Sequence, residues 1–152
     1  MHRRGYRKKM KNVWSERNLF VKEYISENIS IIDFGCGNKE ILDFTSPNRY
    51  LGIDLTNEAD LKLDLNNPIE LNEHFDLGLL LGVLEYLKDP NQTLSNIKQY
   101  ADKFIILSLA VKKKDEWTNA FNMESIDALM QKHFKNVKHF THGRYILSTG
   151  EV

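Results

Sequence analysis

Ile31-Ile32-Asp33-Phe34-Gly35-Cys36-Gly37-Asn38-Lys39, followed by Tyr50-Leu51-Gly52-Ile53-Asp54, is the stretch that decides how this chain is read. The run from Ile29 to Phe34 is short, rich in isoleucine and closed by Gly35, a pattern that suits a buried parallel strand better than a helix. Gly35 and Gly37 admit backbone angles that a side chain forbids, and without Cβ atoms they leave space for a ligand against the main chain. Tyr50 to Ile53 reads as a second strand. Asp54 at its tip is placed to accept both hydroxyl protons of a ribose. Strand, glycine loop, strand and carboxylate together imply a nucleoside ligand.

The glycine spacing narrows the choice. A dinucleotide fingerprint, G-x-G-x-x-G, needs glycine or alanine at position 40, where Glu40 stands, and a carboxylate there would repel a pyrophosphate. The Gly-Lys-Ser/Thr of a P-loop is missing from the sequence. Both exclusions disfavour a phosphate-bearing ligand.

Asp33-Phe34-Gly35-Cys36-Gly37 resembles the first motif of the class I S-adenosylmethionine-dependent methyltransferases, acidic-x-Gly-x-Gly. The resemblance continues in order through Tyr50 to Asp54, through Leu61-Lys62-Leu63-Asp64-Leu65, and through Phe75-Asp76-Leu77 to Leu84-Glu85-Tyr86-Leu87-Lys88-Asp89-Pro90. It spans roughly Ile29 to Leu109, and the joint spacing is more specific than the loop alone. It implies S-adenosylmethionine as cofactor, held by Asp33, Gly35, Cys36, Gly37, Asp54, Leu55, Asp64, Leu65 and Gly82. Asp64 would accept from the adenine amino group or stand as a solvated strand-end carboxylate. Cys36 would serve packing, not nucleophilic chemistry. Two departures stand out: Lys39 replaces a third glycine, and Tyr86 replaces the histidine that follows the glutamate in many relatives. The Asn/Asp-Pro-Pro-Tyr of amino-methylating nucleic-acid enzymes is also missing.

The 152 residues suit one domain, and 41% hydrophobic with 28% charged is ordinary for a globular chain. The zero net charge hides an asymmetry. Residues 1–12 hold six of the 21 basic residues and no acidic one, leaving fifteen basic against 21 acidic groups elsewhere, a net of minus six. We divide the chain into a basic arm, 1–14, and a domain, 15–152. The arm would be either a solvated tail or an attractor of nucleic acid or another anionic surface. No signal peptide or membrane-spanning run is evident and Cys36 is the lone cysteine, so a cytoplasmic location is expected. The five histidines show neither helical ligand spacing nor cysteine partners, so no metal is expected.

From Ser15, a plausible cap, Phe20, Val21, Tyr24 and Ile25 predict a helix beside the ligand crevice. Glu40 to Phe44 has room for one short helix before Ser46-Pro47-Asn48. Leu61 to Leu65 and Phe75 to Leu81 read as the third and fourth strands, with Gly82, Val83 and Leu84 facing the methionine end of the cofactor. Asp89-Pro90 caps a helix with Leu94 and Ile97 inward. Phe104 to Ala110 is a fifth strand, and Lys112-Lys113-Lys114 a charged loop that would be solvated or meet an anionic substrate. A helix capped by Asn122 follows, burying Ile126, Leu129 and Met130, and then a hairpin through His142-Gly143. The expected fold is α/β, a Rossmann-like three-layer α/β/α sandwich, mostly parallel with a C-terminal antiparallel hairpin. The expected function is methyl transfer to an unidentified acceptor, beside Glu85 and Tyr86. No long insertion offers a lid, so the acceptor would be large, or enclosed by the arm or by a second subunit of an oligomer. The alternatives are a scaffold or regulatory pseudoenzyme that keeps the cofactor fold, and an NAD-binding Rossmann protein.

Overall fold

The computed structural model describes residues 16–111 and 114–152. The basic arm, the Ser15 cap, and Lys112 and Lys113 lie outside the described residues. In chain order the elements are α1 (helical over 16–22), β1 (Ser30–Phe34), β2 (Arg49–Asp54), β3 (Leu61–Lys62), β4 (Phe75–Leu81), α2 (Pro90–Ile97), β5 (Ala101–Leu109), α3 (Met123–His133), β6 (Lys135–His142) and β7 (Tyr145–Glu151). They form one sheet in the order β3-β2-β1-β4-β5-β7-β6. The first five strands pair in parallel, while β7 runs antiparallel to both β5 and β6.

Alternation along the central strands sets the layers, because successive side chains of a strand point to opposite faces. Ile32, Phe34, Leu80, Phe104 and Ile106 point to one face, where Leu94 and Ile97 of α2 and Ile126, Leu129 and Met130 of α3 cover them. Ile31, Leu77, Leu79, Leu81, Ile105 and Leu107 point to the other, under Phe20 and Val21 of α1. Each such fully buried aliphatic or phenyl side chain contributes roughly 1.5–3 kcal/mol relative to exposure. The α1 layer is thin. After β1 the chain makes only a 3₁₀ turn, Glu40–Asp43, which anchors itself with the buried Ile41.

Both expected caps form. Asp89 accepts from the Gln92 amide at 3.2 Å with Pro90 in the first turn, and Asn122 and Ser125 exchange side-chain-to-backbone bonds at 2.8 and 2.9 Å. The third strand is shorter than its apolar pattern predicts. It stops at Lys62 because the Asp64 carboxylate accepts the Asn66 amide at 2.9 Å, a turn that drops Leu65 into the core. Tyr24 packs on Phe20 and Phe140 against the core. No helix among the described residues is long and apolar enough to cross a membrane.

Candidate active site

Strand order reverses between β2 and β4 on either side of β1, and the crevice opens where these strands end. β1 gives way to Gly35 and Gly37, with φ of +86° and +51°. The Gly35 and Cys36 amides both donate to the Ile53 carbonyl, at 2.7 and 3.1 Å, which folds the loop across the end of β2. The two glycines do different work. A Cβ on Gly35 would sit 2.4 Å from Val83 Cγ2, whereas one on Gly37 would meet nothing within 4 Å. Val83 therefore occupies the room over Gly35, and the open space lies over Gly37.

The Asp54 carboxylate is held against this loop. Its Oδ2 accepts the Gly37 amide at 2.8 Å and its Oδ1 the Leu55 amide at 2.6 Å. Each carboxylate oxygen retains a further lone pair, and Asp54 is half-buried at the rim. Lys39 adopts the left-handed backbone, φ +58°, that a third glycine would take with less strain. Its ammonium turns away to Asp60 at 2.6 Å, and Asp60 in turn accepts the Gly52 amide at 2.8 Å. Lys39 thus leaves the ligand side of the loop open.

Beyond the loop lies a cavity of about 520 Å³. Asp33, Arg17 of α1, Cys36 and Glu40 are among its lining residues. Asp33 is buried. Its Oδ2 accepts the Tyr50 hydroxyl at 2.7 Å, and its Oδ1 has no hydrogen-bond partner. Burial pushes the Asp33 carboxyl up to about 6, against the pull of the Tyr50 hydroxyl and of Arg17. Burial, with Asp33 behind it, also raises the Tyr50 phenol. The Cys36 thiol is pushed up to about 12, by burial first and then by Asp33 and Asp54, and its Sγ packs under Gly52. Such a thiol is a packing group and a poor nucleophile.

Glu85, Tyr86, Ser108, Trp117, Arg144 and Tyr145 also line the cavity, and Tyr145 acts electrostatically on Arg17. Glu85 is 1% exposed. Its Oε1 accepts the Leu109 amide at 3.1 Å, and its Oε2 is unpartnered. Burial raises its carboxyl, while the Leu109 amide and its own amide hold it down. The Glu85 carbonyl also accepts the Thr118 and Asn119 amides at 2.8 and 3.0 Å. Asn119 Nδ2 reaches the Leu84 and Leu87 carbonyls at 3.0 and 2.6 Å. Residues 114–119 are in this way strapped to the turn after β4, with Lys114 and Trp117 in the cavity wall. Of the charged loop expected there, Lys114 is the described lysine, and it lines the cavity.

Of the residues singled out from sequence, Asp33, Gly35, Cys36, Gly37 and Gly82 line the cavity, and Asp54 joins it through the Gly37 amide. Leu55, Asp64 and Leu65 are set apart from it. Leu55 is exposed, Asp64 closes its own turn, and Leu65 is buried against α2 with its carbonyl taken by the Thr93 hydroxyl at 3.1 Å. Only Gly82 of the expected trio after β4 lines the cavity, since Val83 covers Gly35 and Leu84 is fully buried in the core. Arg17, Ser108, Trp117, Arg144 and Tyr145 escape sequence reading. Arg17 beside Asn18 in an otherwise apolar helix stripe, and a lone tryptophan in a charged loop, are the signals that were available. Among the described residues no three His, Cys, Asp or Glu side chains converge to hold a metal.

A family model described as a methyltransferase domain matches residues 6–146. Among solved structures, the small RNA methyltransferase HEN1 superposes with a TM-score of 0.73 at 13% identity, covering 90% of this chain and 25% of its own. The TehB-like S-adenosylmethionine-dependent methyltransferase of Corynebacterium glutamicum gives a TM-score of 0.66 at 16% identity and covers 99% of this chain and 97% of its own. The N-methyltransferase NodS of Bradyrhizobium japonicum, in complex with S-adenosylhomocysteine, gives 0.68 at 14% identity over 90% and 84%. This chain therefore spans about a quarter of HEN1 and nearly the whole of the TehB-like protein. No curated protein sequence matches it.

Proposed function

The chain belongs to the methyltransferase-domain family, and from that premise we propose that it binds S-adenosylmethionine across the Gly35–Gly37 loop and methylates an acceptor that enters beside Gly82, Glu85 and Tyr86. The observation that carries this reading is the pairing of the open position over Gly37 with the Asp54 carboxylate fixed at 2.8 Å from its amide. Asp54 would take the ribose hydroxyls, whose donors suit its free lone pairs. Asp33 and Arg17 offer a carboxylate and a guanidinium in the cavity lining, complementary to the ammonium and carboxylate of an amino-acid tail. Leu55, Asp64 and Leu65, outside the cavity, would border the adenine end. Glu40 beside the loop disfavours a pyrophosphate, against the nicotinamide alternative.

When bound, the cofactor supplies a methyl group on a positively charged sulfur. What the chain supplies is position: an acceptor lone pair held in line with that methyl group reacts with a large entropic advantage. Gly82, with φ +69°, has no side chain to block the approach, and the Arg17 guanidinium stands 3.8 Å from its Cβ position. The strap bearing Trp117 limits water on the acceptor side.

The test is calorimetric titration with S-adenosylhomocysteine, followed by transfer of a labelled methyl group to cell-extract fractions. Wild type binds, and Asp54→Ala loses roughly 1–3 kcal/mol of affinity, the scale of hydrogen bonds to a charged group. Equal affinity in the variant would remove the ribose assignment, and binding without any transfer would replace the enzyme by a scaffold. The unit boundary at residue 15, a cytoplasmic setting inferred from the lone cysteine, and attraction of an anionic partner by residues 1–12 belong to this proposal.

A further inference from the structure

Native proteins satisfy nearly all buried polar atoms, and leaving one unpaired costs roughly 1–3 kcal/mol. Around this one cavity four lining residues keep such an atom: Asp33 Oδ1, Glu85 Oε2, Ser108 Oγ and Trp117 Nε1. The first belongs to the cofactor end under the reading above. The other three come from separate elements on the acceptor side: the turn after β4, the end of β5, and the strap. Glu85 cannot relieve its unused oxygen by swinging out. Its other oxygen is bound to the Leu109 amide and its carbonyl to two amides of the strap. A fixed, ionisable carboxylate with an unused oxygen calls for an N–H or O–H donor.

The surrounding walls and rim narrow the class further. Trp117, 4% exposed, and Tyr86 and Tyr145 give the acceptor side aromatic surfaces that favour a planar body. Lys114 Nζ lies 5.3 Å from the centroid of the Trp117 ring. Arg144 stands in the β6–β7 turn, and its carbonyl accepts the Ala110 amide at 2.8 Å, which ties that turn to the end of β5. Both cations line the cavity, and among the described residues neither pairs with a carboxylate. The acceptor side is thus an inner carboxylate, aromatic walls and a cationic rim.

We propose that the acceptor is a small planar molecule with an N–H or O–H nucleophile at one end and an acidic group at the other. Glu85 holds the nucleophile's hydrogen, the ring lies along Trp117, and the acid sits between Lys114 and Arg144. This rests on the cofactor reading above, since Glu85 then aligns the nucleophile with the methyl group. As the acceptor's lone pair forms the new bond to carbon, the sulfur–carbon bond breaks and its electron pair stays on sulfur. The proton released from the acceptor passes to the Glu85 carboxylate and on to water. A macromolecular acceptor fits less well, because its nucleophile would have to reach Glu85, which is only 1% exposed.

The test uses the full chain saturated with S-adenosylhomocysteine, titrated with 4-aminobenzoate, its neutral amide 4-aminobenzamide, and benzoate, which lacks the donor. The expected result is that 4-aminobenzoate binds at least tenfold more tightly than either control. Arg144→Ala and Lys114→Ala, both at exposed positions, should bring it down to the level of the amide and leave S-adenosylhomocysteine affinity unchanged. Glu85→Gln should remove the preference over benzoate. Equal binding of the three probes, an effect on none of them in the rim variants, or labelled methyl groups entering total RNA while 4-aminobenzoate stays unbound would each overturn the proposal. Failure of the wild type to bind S-adenosylhomocysteine in the first titration overturns the cofactor reading instead, so the two failures are distinguishable.

Discussion

Asp33 and Asp54 end neighbouring strands as the same residue type, and their surroundings give them opposite tasks. Asp54 takes two backbone amides and sits half-buried at the rim, a fixed acceptor. Asp33 is buried with one oxygen unpartnered, and its carboxyl rises to about 6. The sign of the consequence is definite. A carboxyl raised by folding binds its proton more tightly in the native state, so Asp33 favours folding most below its unfolded value and loses that contribution as pH climbs to about 6. With about two pKa units at stake the loss is at most about 3 kcal/mol. Glu85, also raised by burial, tilts stability the same way, whereas Asp76, Asp127 and Glu151, lowered by hydrogen bonds, tilt it oppositely. The readout is therefore the difference between wild type and Asp33→Asn in denaturant titrations at pH 4, 5, 6 and 7. The variant should gain on the wild type across this range and hold its lead above it. A pH-independent difference would assign the titration elsewhere. A cationic ammonium bound beside Asp33 should pull the carboxyl back down, so cofactor affinity should rise with pH through the same window in the wild type alone.

At the scale of elements, the glycine loop is half packing and half opening. Gly35 combines φ +86° with a methyl group of Val83 where its own Cβ would be, so Gly35→Ala should suffer both backbone strain and overpacking. Gly37 has only the backbone term, roughly 1–2 kcal/mol for a left-handed residue with a side chain. Thermal denaturation should place Gly35→Ala well below Gly37→Ala. Adding Val83→Ala should recover the overpacking share, on the order of 1–3 kcal/mol, and leave the backbone share. Similar losses for the two single variants, or no recovery in the double, would contradict this division. The strap shows the same economy: one buried residue, Glu85, uses its carbonyl to hold Thr118 and Asn119 and its carboxylate to hold the end of β5. Position along the chain gives no hint of this, because Glu85 and Asn119 meet only after β4 and β5 pair.

For the whole molecule, the proposed partition between arm and domain yields the remaining prediction. Deleting residues 1–12 should leave S-adenosylhomocysteine affinity unchanged and weaken binding to RNA or anionic vesicles, the more so at low salt, because six cations are removed. Equal binding to both probes at every salt concentration would leave the arm without a partner of this kind. The parallel sheet, its antiparallel end and the glycine loop were legible in the sequence because they rest on local signals. A β-branched run ended by glycine after Phe34, a carboxylate closing β2, Asp89-Pro90 and Asn122 as caps, and turn residues before the last strand all act within a few residues. The loop spacing also distinguished this ligand class from the phosphate binders, through Glu40. The burial of Leu65 and the inward side chains of Ser108 and Trp117 were decided by tertiary structure. Each depends on a partner distant in sequence: Thr93 for the Leu65 carbonyl, the paired ends of β4 and β5 for Ser108, and Glu85 for the strap that brings in Trp117. Local periodicity specifies which face of an element is apolar, but which polar groups converge on one cavity is set by how the sheet brings distant strand ends together.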